Sequence, residues 1–166
     1  NVGIAKPVSV SGITVTGTDA GNYTFNTTAT TTANITAFGL TVSATGQNKT
    51  YDATSTATVT LSDNRFAGDV LATAAASALF NNKNVGTAKP VNVSGITVTG
   101  TDAGNYTFNP SAATTANITP FGLTVSATGV NKVYDATASA TTTLSDNRFA
   151  GDVLTTGLTS ASFADK

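Results

Sequence analysis

The 166-residue sequence contains no cysteine, histidine, methionine, tryptophan or glutamate. Without cysteine there is no disulfide framework and none of the usual thiolate zinc or redox chemistry. Without histidine, cysteine and glutamate the common general bases and activated nucleophiles are missing, leaving Asp, Lys, Tyr and Ser. The chain therefore reads as a non-enzyme with no cofactor and no metal. Charge is also scarce: eight Lys and Arg face nine Asp, for a net charge of −1. No basic block could track a phosphate backbone, which argues against a nucleic-acid partner. No apolar run approaches the roughly 18 to 20 residues that cross a bilayer as a helix, so no membrane insertion is expected.

What fills the sequence instead is threonine, at 35 positions, with Val, Ile, Ala and Gly. Branched side chains suit a pleated surface, and strong helix formers other than Ala are few. The chain is also internally repeated. Residues 1–83 and 84–166 align without a gap, and 65 of the 83 positions are identical. That period is too long for a solenoid rung, so each copy has the length of a small module in a tandem array.

Within one copy the apolar residues alternate. Val8 and Val10 share one phase and Ile13 and Val15 the other, with Ser11 and Gly12 between them, which predicts a bulge or sharp bend; Ser94 and Gly95 repeat it. Tyr23 and Phe25, then Ala33, Ile35 and Ala37, then Leu40, Val42 and Ala44, and later Ala57, Val59 and Leu61 continue the period of two. Tyr23, Phe25, Ile35, Leu40, Val42, Tyr51, Leu61, Phe66 and Phe80, with their counterparts 83 positions on, are the expected packing residues. Residues 72–80 look helical alone, but their counterpart 155–163 holds Gly and three Thr, so strand is expected in both copies. Six or seven short strands per copy, about 8 to 12 residues apart, fit an all-β chain of tandem immunoglobulin-like antiparallel β-sandwich modules.

The polar motifs read as structural. The spacings Asp19-x-Gly21-x-Tyr23 and Asp102-x-Gly104-x-Tyr106 are similar to the tyrosine corner of immunoglobulin-like sandwiches, where a hydroxyl pins a nearby loop. Tyr51 and Tyr134 are single aromatics inside polar corners. The octet Ser-Asp-Asn-Arg-Phe-Ala-Gly-Asp occurs at 62–69 and 145–152, and a loop tied by Arg65 or Arg148 to a flanking Asp accounts for it. Loop Asp residues lack any EF-hand or nonapeptide calcium spacing. Seven Asn-x-Ser/Thr sequons occur, as a Thr- and Asn-rich chain produces by chance.

Two phasings of the repeat are open. In one, residues 39–121 form a complete module, 1–38 the C-terminal half of one and 122–166 the N-terminal half of another. In the other, the boundary lies between Lys83 and Asn84. Under the first phasing each half exposes a sheet edge, and a neighbour would complete it by strand exchange.

Asn131 to Thr137 (Asn-Lys-Val-Tyr-Asp-Ala-Thr), the run Ala161 to Lys166, the starts Asn1-Val2-Gly3, Ser11 to Val15 and Asp19 to Thr24 together resemble the YDG repeat. The chain departs from it at the namesake, with Ala53 and Ala136 where Gly is usual. A left-handed backbone would strain Ala, so a right-handed or locally rebuilt turn is expected there. The resemblance implies tandem modules of large bacterial surface or secreted adhesins, including filamentous-haemagglutinin-like proteins. It implies an extracellular or cell-surface location and neighbouring modules as head-to-tail partners. A second reading keeps each repeat as a weak module for host or matrix glycans, made strong by multivalency.

Overall fold

Alternating Thr, Val, Ile and Ala make extended backbone the low-cost state, because branched side chains pack across a pleat and few helix formers compete. A computed structural model describes all of residues 1–166, and it is all-β. Its strands are β1 (Gly3–Ser11), β2 (Thr28–Ile35), β3 (Phe38–Leu40), β4 (Val42–Gly46), β5 (Lys49–Thr50) and β6 (Val59–Asp63). They continue as β7 (Ala72–Phe80), β8 (Gly86–Thr99), β9 (Tyr106–Phe108), β10 (Ser111–Thr119), β11 (Val125–Val130) and β12 (Thr141–Asp146). Single 3-10 turns occupy Ala20–Asn22 and Ala103–Asn105. The largest sheet has the order β5, β10, β8, β7.

The chain forms two compact units. The first comprises residues 1–45, 59–78 and 92–114. In it β1 and β2 form an antiparallel ladder from Ser11 opposite Thr28 to Gly3 opposite Ile35, and β3 lies parallel to β9 with Phe38 opposite Tyr106. Its buried apolar side chains are Leu40, Val42, Leu71, Val93, Ile96 and Tyr106. The second unit comprises 46–58, 79–91 and 115–166. There β11 and β12 are antiparallel, β5 runs parallel to the end of β10, and Phe80, Val91, Ala116 and Ile118 are buried. Burying each large aliphatic or aromatic side chain contributes about 1.5 to 3 kcal/mol.

The phase slip read from the sequence is present. In β8 the inward residues are Val91 and Val93, then Ile96, and Gly95 between them takes a left-handed φ of 66°. A second irregularity was not legible. The β1 register shifts between Gly3 and Lys6, where Ala5 has φ 52°, and its N–H donates to Asn34 Oδ1 at 2.8 Å. Ala88 repeats this with φ 47° and Asn117 Oδ1 at 2.7 Å.

Four expectations change. Residues 72–80 form β7 as expected, but 155–163 form no strand and make only a bridge from Ser162 to Ser139. β7 owes its pairing to β8, which belongs to the following copy. Pairing is not purely antiparallel, since β3 with β9 and β5 with β10 are parallel. Of the expected packing residues Leu40, Val42 and Phe80 are buried and Tyr51 and Leu61 half-buried, while Tyr23, Phe25, Ile35 and Phe66 are exposed. The Tyr-Asp-Ala turns are left-handed, with φ 63° at both Ala53 and Ala136.

Candidate functional site

The two octets fold into the same stiff loop. Asp63, the last residue of β6, accepts from Arg65 Nε at 2.7 Å and Nη2 at 2.5 Å, a bidentate fork, and Arg65 Nη1 donates to the Leu71 carbonyl. Arg148 grips Asp146 and the Leu154 carbonyl in the same way. These guanidinium hydrogen bonds hold the Asp63 and Asp146 carboxyls below the usual carboxylate range. The chain then turns back: Asp69 N–H donates to the Phe66 carbonyl at 3.2 Å and Asp152 N–H to the Phe149 carbonyl at 3.1 Å. Left-handed Gly68 and Gly151, φ 98° and 89°, allow the turn. Because Arg takes the first Asp of each octet, the last one faces other partners.

In the first unit that partner is Tyr106. Its hydroxyl donates to Asp69 Oδ2 and accepts from the Phe66 N–H at 3.2 Å. Phe38 meets the tyrosine ring edge-on, with centroids 6.0 Å apart, and packs on Phe66 at 4.7 Å. Such aromatic contacts add about 0.5 to 1.5 kcal/mol beyond burial. Asp102 Oδ2 accepts from the Val70 N–H at 2.9 Å, tying the turn before Tyr106 to the octet loop. The hydrogen bond to Asp69 pushes the Tyr106 phenol up. A cavity of about 180 Å³ lies beside the pair, bounded by Asn1, Val2, Phe38, Asp69 and Asn105.

In the second unit the equivalent carboxylate, Asp152, has different partners. The Tyr51 hydroxyl lies 2.7 and 2.8 Å from its two oxygens, and Lys83 Nζ donates to Oδ1 at 2.6 Å. Phe149 packs edge-on against Tyr51 at 5.9 Å and on Phe121 at 4.8 Å, and the Lys83 ammonium sits 5.7 Å from the Tyr51 ring centre. Lys83 and then Tyr51 hold the Asp152 carboxyl below its ordinary range, while Asp152 pushes the Lys83 ammonium up. A carboxylate held this way is a poor proton acceptor near neutral pH and a good fixed anchor. Next to it opens a cavity of about 420 Å³ lined by Phe121, Leu123, Phe149, Val153 and Val85.

Tyr51 is aimed by the turn that follows it. Lys49 Nζ reaches Asp52 Oδ1 at 2.7 Å and the Thr54 and Thr56 carbonyls, and Asp52 Oδ1 caps the Thr54 N–H at 2.9 Å. The Lys49 hydrogen bond and the Thr54 N–H lower the Asp52 carboxyl to about 2. The second copy repeats the turn through Lys132, Asp135 and Thr137, with Asp135 also at about 2. Tyr51 N–H donates to the Thr119 carbonyl at 2.8 Å, fixing the backbone on β10.

The sequence-derived site residues thus divide. Tyr106, Tyr51, Asp102, Arg65 and Arg148 stand in or beside the two carboxylate sites, whereas Tyr23 and Tyr134 are exposed and Asp19 makes no side-chain cap. Tyr106 is not a local corner, because its hydroxyl reaches back some forty residues to the octet instead of its own loop. Lys83 and Phe38 were missed as site residues, and Asp69, Asp152 and Phe149 were read only as octet loop carboxylates and a packing ring. Their signal was present: each recurs at the same place in both copies beside a motif already singled out.

Searches of curated proteins and of solved structures returned no match. The family model for the YDG domain matches residues 1–33 and again 36–116. With two successive matches spanning most of the repeat, the chain belongs to the YDG domain family.

Proposed function

We propose that this chain is a segment of a tandem array in an extracellular bacterial adhesin or filament, in which immunoglobulin-like β-sandwich modules are joined end to end. The modules are phased as 39–121, with 1–38 and 122–166 belonging to the adjoining ones. The Asp152 site carries the reading. In this phasing Tyr51 and Lys83 belong to one module and Asp152 and Phe149 to the next, so a bifurcated hydrogen bond, an ion pair and an aromatic contact bring parts of successive modules into the one second compact unit, and that shared unit is the joint. All ten buried apolar residues also fall between 40 and 118. A joint fixed by two polar anchors and a ring resists bending, so copy number sets reach.

Small-angle scattering on chains of two, four and eight repeats tests this. The maximum dimension is expected to grow linearly, by roughly 30 to 45 Å per added repeat at strand dimensions. Growth as the square root of copy number, the behaviour of flexibly linked beads, contradicts it. Tyr51→Ala should move a long array toward that second behaviour.

A further inference from the structure

The Lys49 ammonium is surrounded more completely than an ion pair requires. Asp52 Oδ1 at 2.7 Å, the Thr56 carbonyl at 2.8 Å, the Thr54 carbonyl at 3.0 Å and Thr54 Oγ1 at 3.1 Å all accept from Nζ. An ammonium has three N–H donors, so four oxygens at these distances make a coordination shell and not a set of paired hydrogen bonds. The ammonium also sits over the buried ring of Phe80, 5.6 Å from its centre. The second copy builds the shell again: Lys132 Nζ has Asp135 Oδ1 at 2.8 Å, the Thr137 carbonyl at 2.9 Å, Thr137 Oγ1 at 3.0 Å and the Phe163 ring at 5.5 Å. The turn orders these oxygens by bonds of its own. The Thr54 N–H and the Thr54 hydroxyl both donate to Asp52 Oδ1, at 2.9 Å each, so the hydroxyl proton is spent and its lone pairs are left for the nitrogen.

We propose that this Tyr-Asp-Ala turn is a monovalent-cation site whose resident ligand is the chain's own lysine ammonium, and that it takes a primary alkylammonium, or ammonium itself, from solution when that side chain is shortened. Charge and distance set the ligand class. Asp52 is the one carboxylate in the shell and, lowered to about 2, stays ionised at neutral pH, so a single positive charge balances it. Calcium takes about six to eight oxygens at roughly 2.3 to 2.6 Å, and magnesium a shell at roughly 2.0 Å, both tighter than the distances here. A quaternary ammonium suits an aromatic cage but has no N–H to give, and these four oxygens call for donors. The site reaches beyond its own turn, since Tyr51 lies within it and carries the hydroxyl that holds Asp152.

Chemical rescue in the full 166-residue chain tests the assignment. Lys49→Ala deletes the side chain from Cγ to Nζ, the atoms that n-propylammonium supplies. The melting temperature of this variant should rise saturably with n-propylammonium chloride, by roughly 3 to 6 °C at tenfold the dissociation constant, beyond the shift of the unsubstituted chain in the same salt. Ammonium chloride should rescue less, and tetramethylammonium chloride at equal ionic strength not at all. Lys49→Met keeps the stem, fills the hole and should gain nothing. No rise in any salt, equal rises in all three, or an equal rise in Lys49→Met overturns the proposal. Acetylation of the unsubstituted chain decides the matter if Lys49→Ala does not fold. By peptide mass mapping, Lys49 and Lys132 should be modified several-fold more slowly than Lys89, whose ammonium has Asn82 Oδ1 at 2.7 Å as its partner. Modification of all three at equal rates overturns the proposal as well.

Discussion

Replacing Ala53 and Ala136 by glycine should stabilise this protein, although each change deletes a methyl group. Both residues sit at φ 63°, where an L side chain crowds its own carbonyl at a cost of about 1 to 2 kcal/mol. Glycine removes that strain and gives back roughly 0.5 to 1 kcal/mol through the greater freedom of its unfolded chain. The net gain is about 0.5 to 1 kcal/mol per site. The turns share no partner, so the double variant should gain about 1 to 2 kcal/mol. In a chain of this length that raises the melting temperature by roughly 2 to 8 °C. The neighbouring hydrogen bonds from Lys49 and Thr54 to Asp52 use no atom of the Ala53 side chain, so they persist. Calorimetry on the single and double variants measures the effect, with Ala44→Gly inside β4 as the opposite control. Ala44 has no left-handed φ, and its replacement should cost about 0.5 to 1 kcal/mol. Neutral or destabilising glycines at 53 and 136 would refute the strain argument.

Three further outcomes follow from the same geometry. Gly100 and Gly17 are repeat counterparts with φ 128° and 136°, but a Cβ on Gly100 would lie 2.2 Å from the Val70 carbonyl oxygen whereas one on Gly17 meets nothing within 4 Å. Gly100→Ala should therefore cost more than about 2 kcal/mol and Gly17→Ala about 1, by denaturant unfolding; equal costs contradict the packing described. Ile118→Ala, at a position 1% exposed, should cost about 2 to 5 kcal/mol, and Ile35→Ala, its 49% exposed counterpart, well under 1. Stability against pH should form a plateau. The carboxyls of Asp52 and Asp135, at about 2, and of Asp63, Asp146 and Asp152, also lowered, contribute stability that is present above the unfolded value near 4 and lost as pH falls toward 2. Raised Lys83 and Tyr106 contribute stability that is present below about 10 and lost as pH rises beyond it. Thermal melts between pH 5 and 9 should coincide, and a step within that range contradicts the assignment.

Much of the fold was legible because period-two patterning and β-branched composition act locally. β7, and the slip at Gly95 with Ile96 on the inner face, follow from residues a few positions apart. What was not legible depends on partners supplied from the other copy. Tyr23 and Tyr106 have the same neighbours in sequence, yet one is exposed and the other buried, because only Tyr106 has a β3-type strand and an octet carboxylate against it. The site was half legible. The octet announced an Arg–Asp pair, and Arg65 does take Asp63, but the spacing alone could not say that Asp69 would be left for a tyrosine forty residues away. The left-handed Ala53 was missed because alanine gives no compositional sign of positive φ. It is tolerated there by the hydrogen bonds that Lys49 and Thr54 make to Asp52.

The parallel pairing of Phe38–Leu40 with Tyr106–Phe108 bears on how such a chain carries tension. A pull applied before residue 38 and after residue 108 drags two parallel neighbours in opposite directions along their common axis. Every hydrogen bond between them is then loaded at once, in shear, instead of peeling one after another as when a hairpin is opened from its free end. Survival under load is set by the rate of unfolding, so a three-residue patch with a tyrosine locked at one end acts as a latch. A chain pulled from the two sides of this patch would meet its first resistance there.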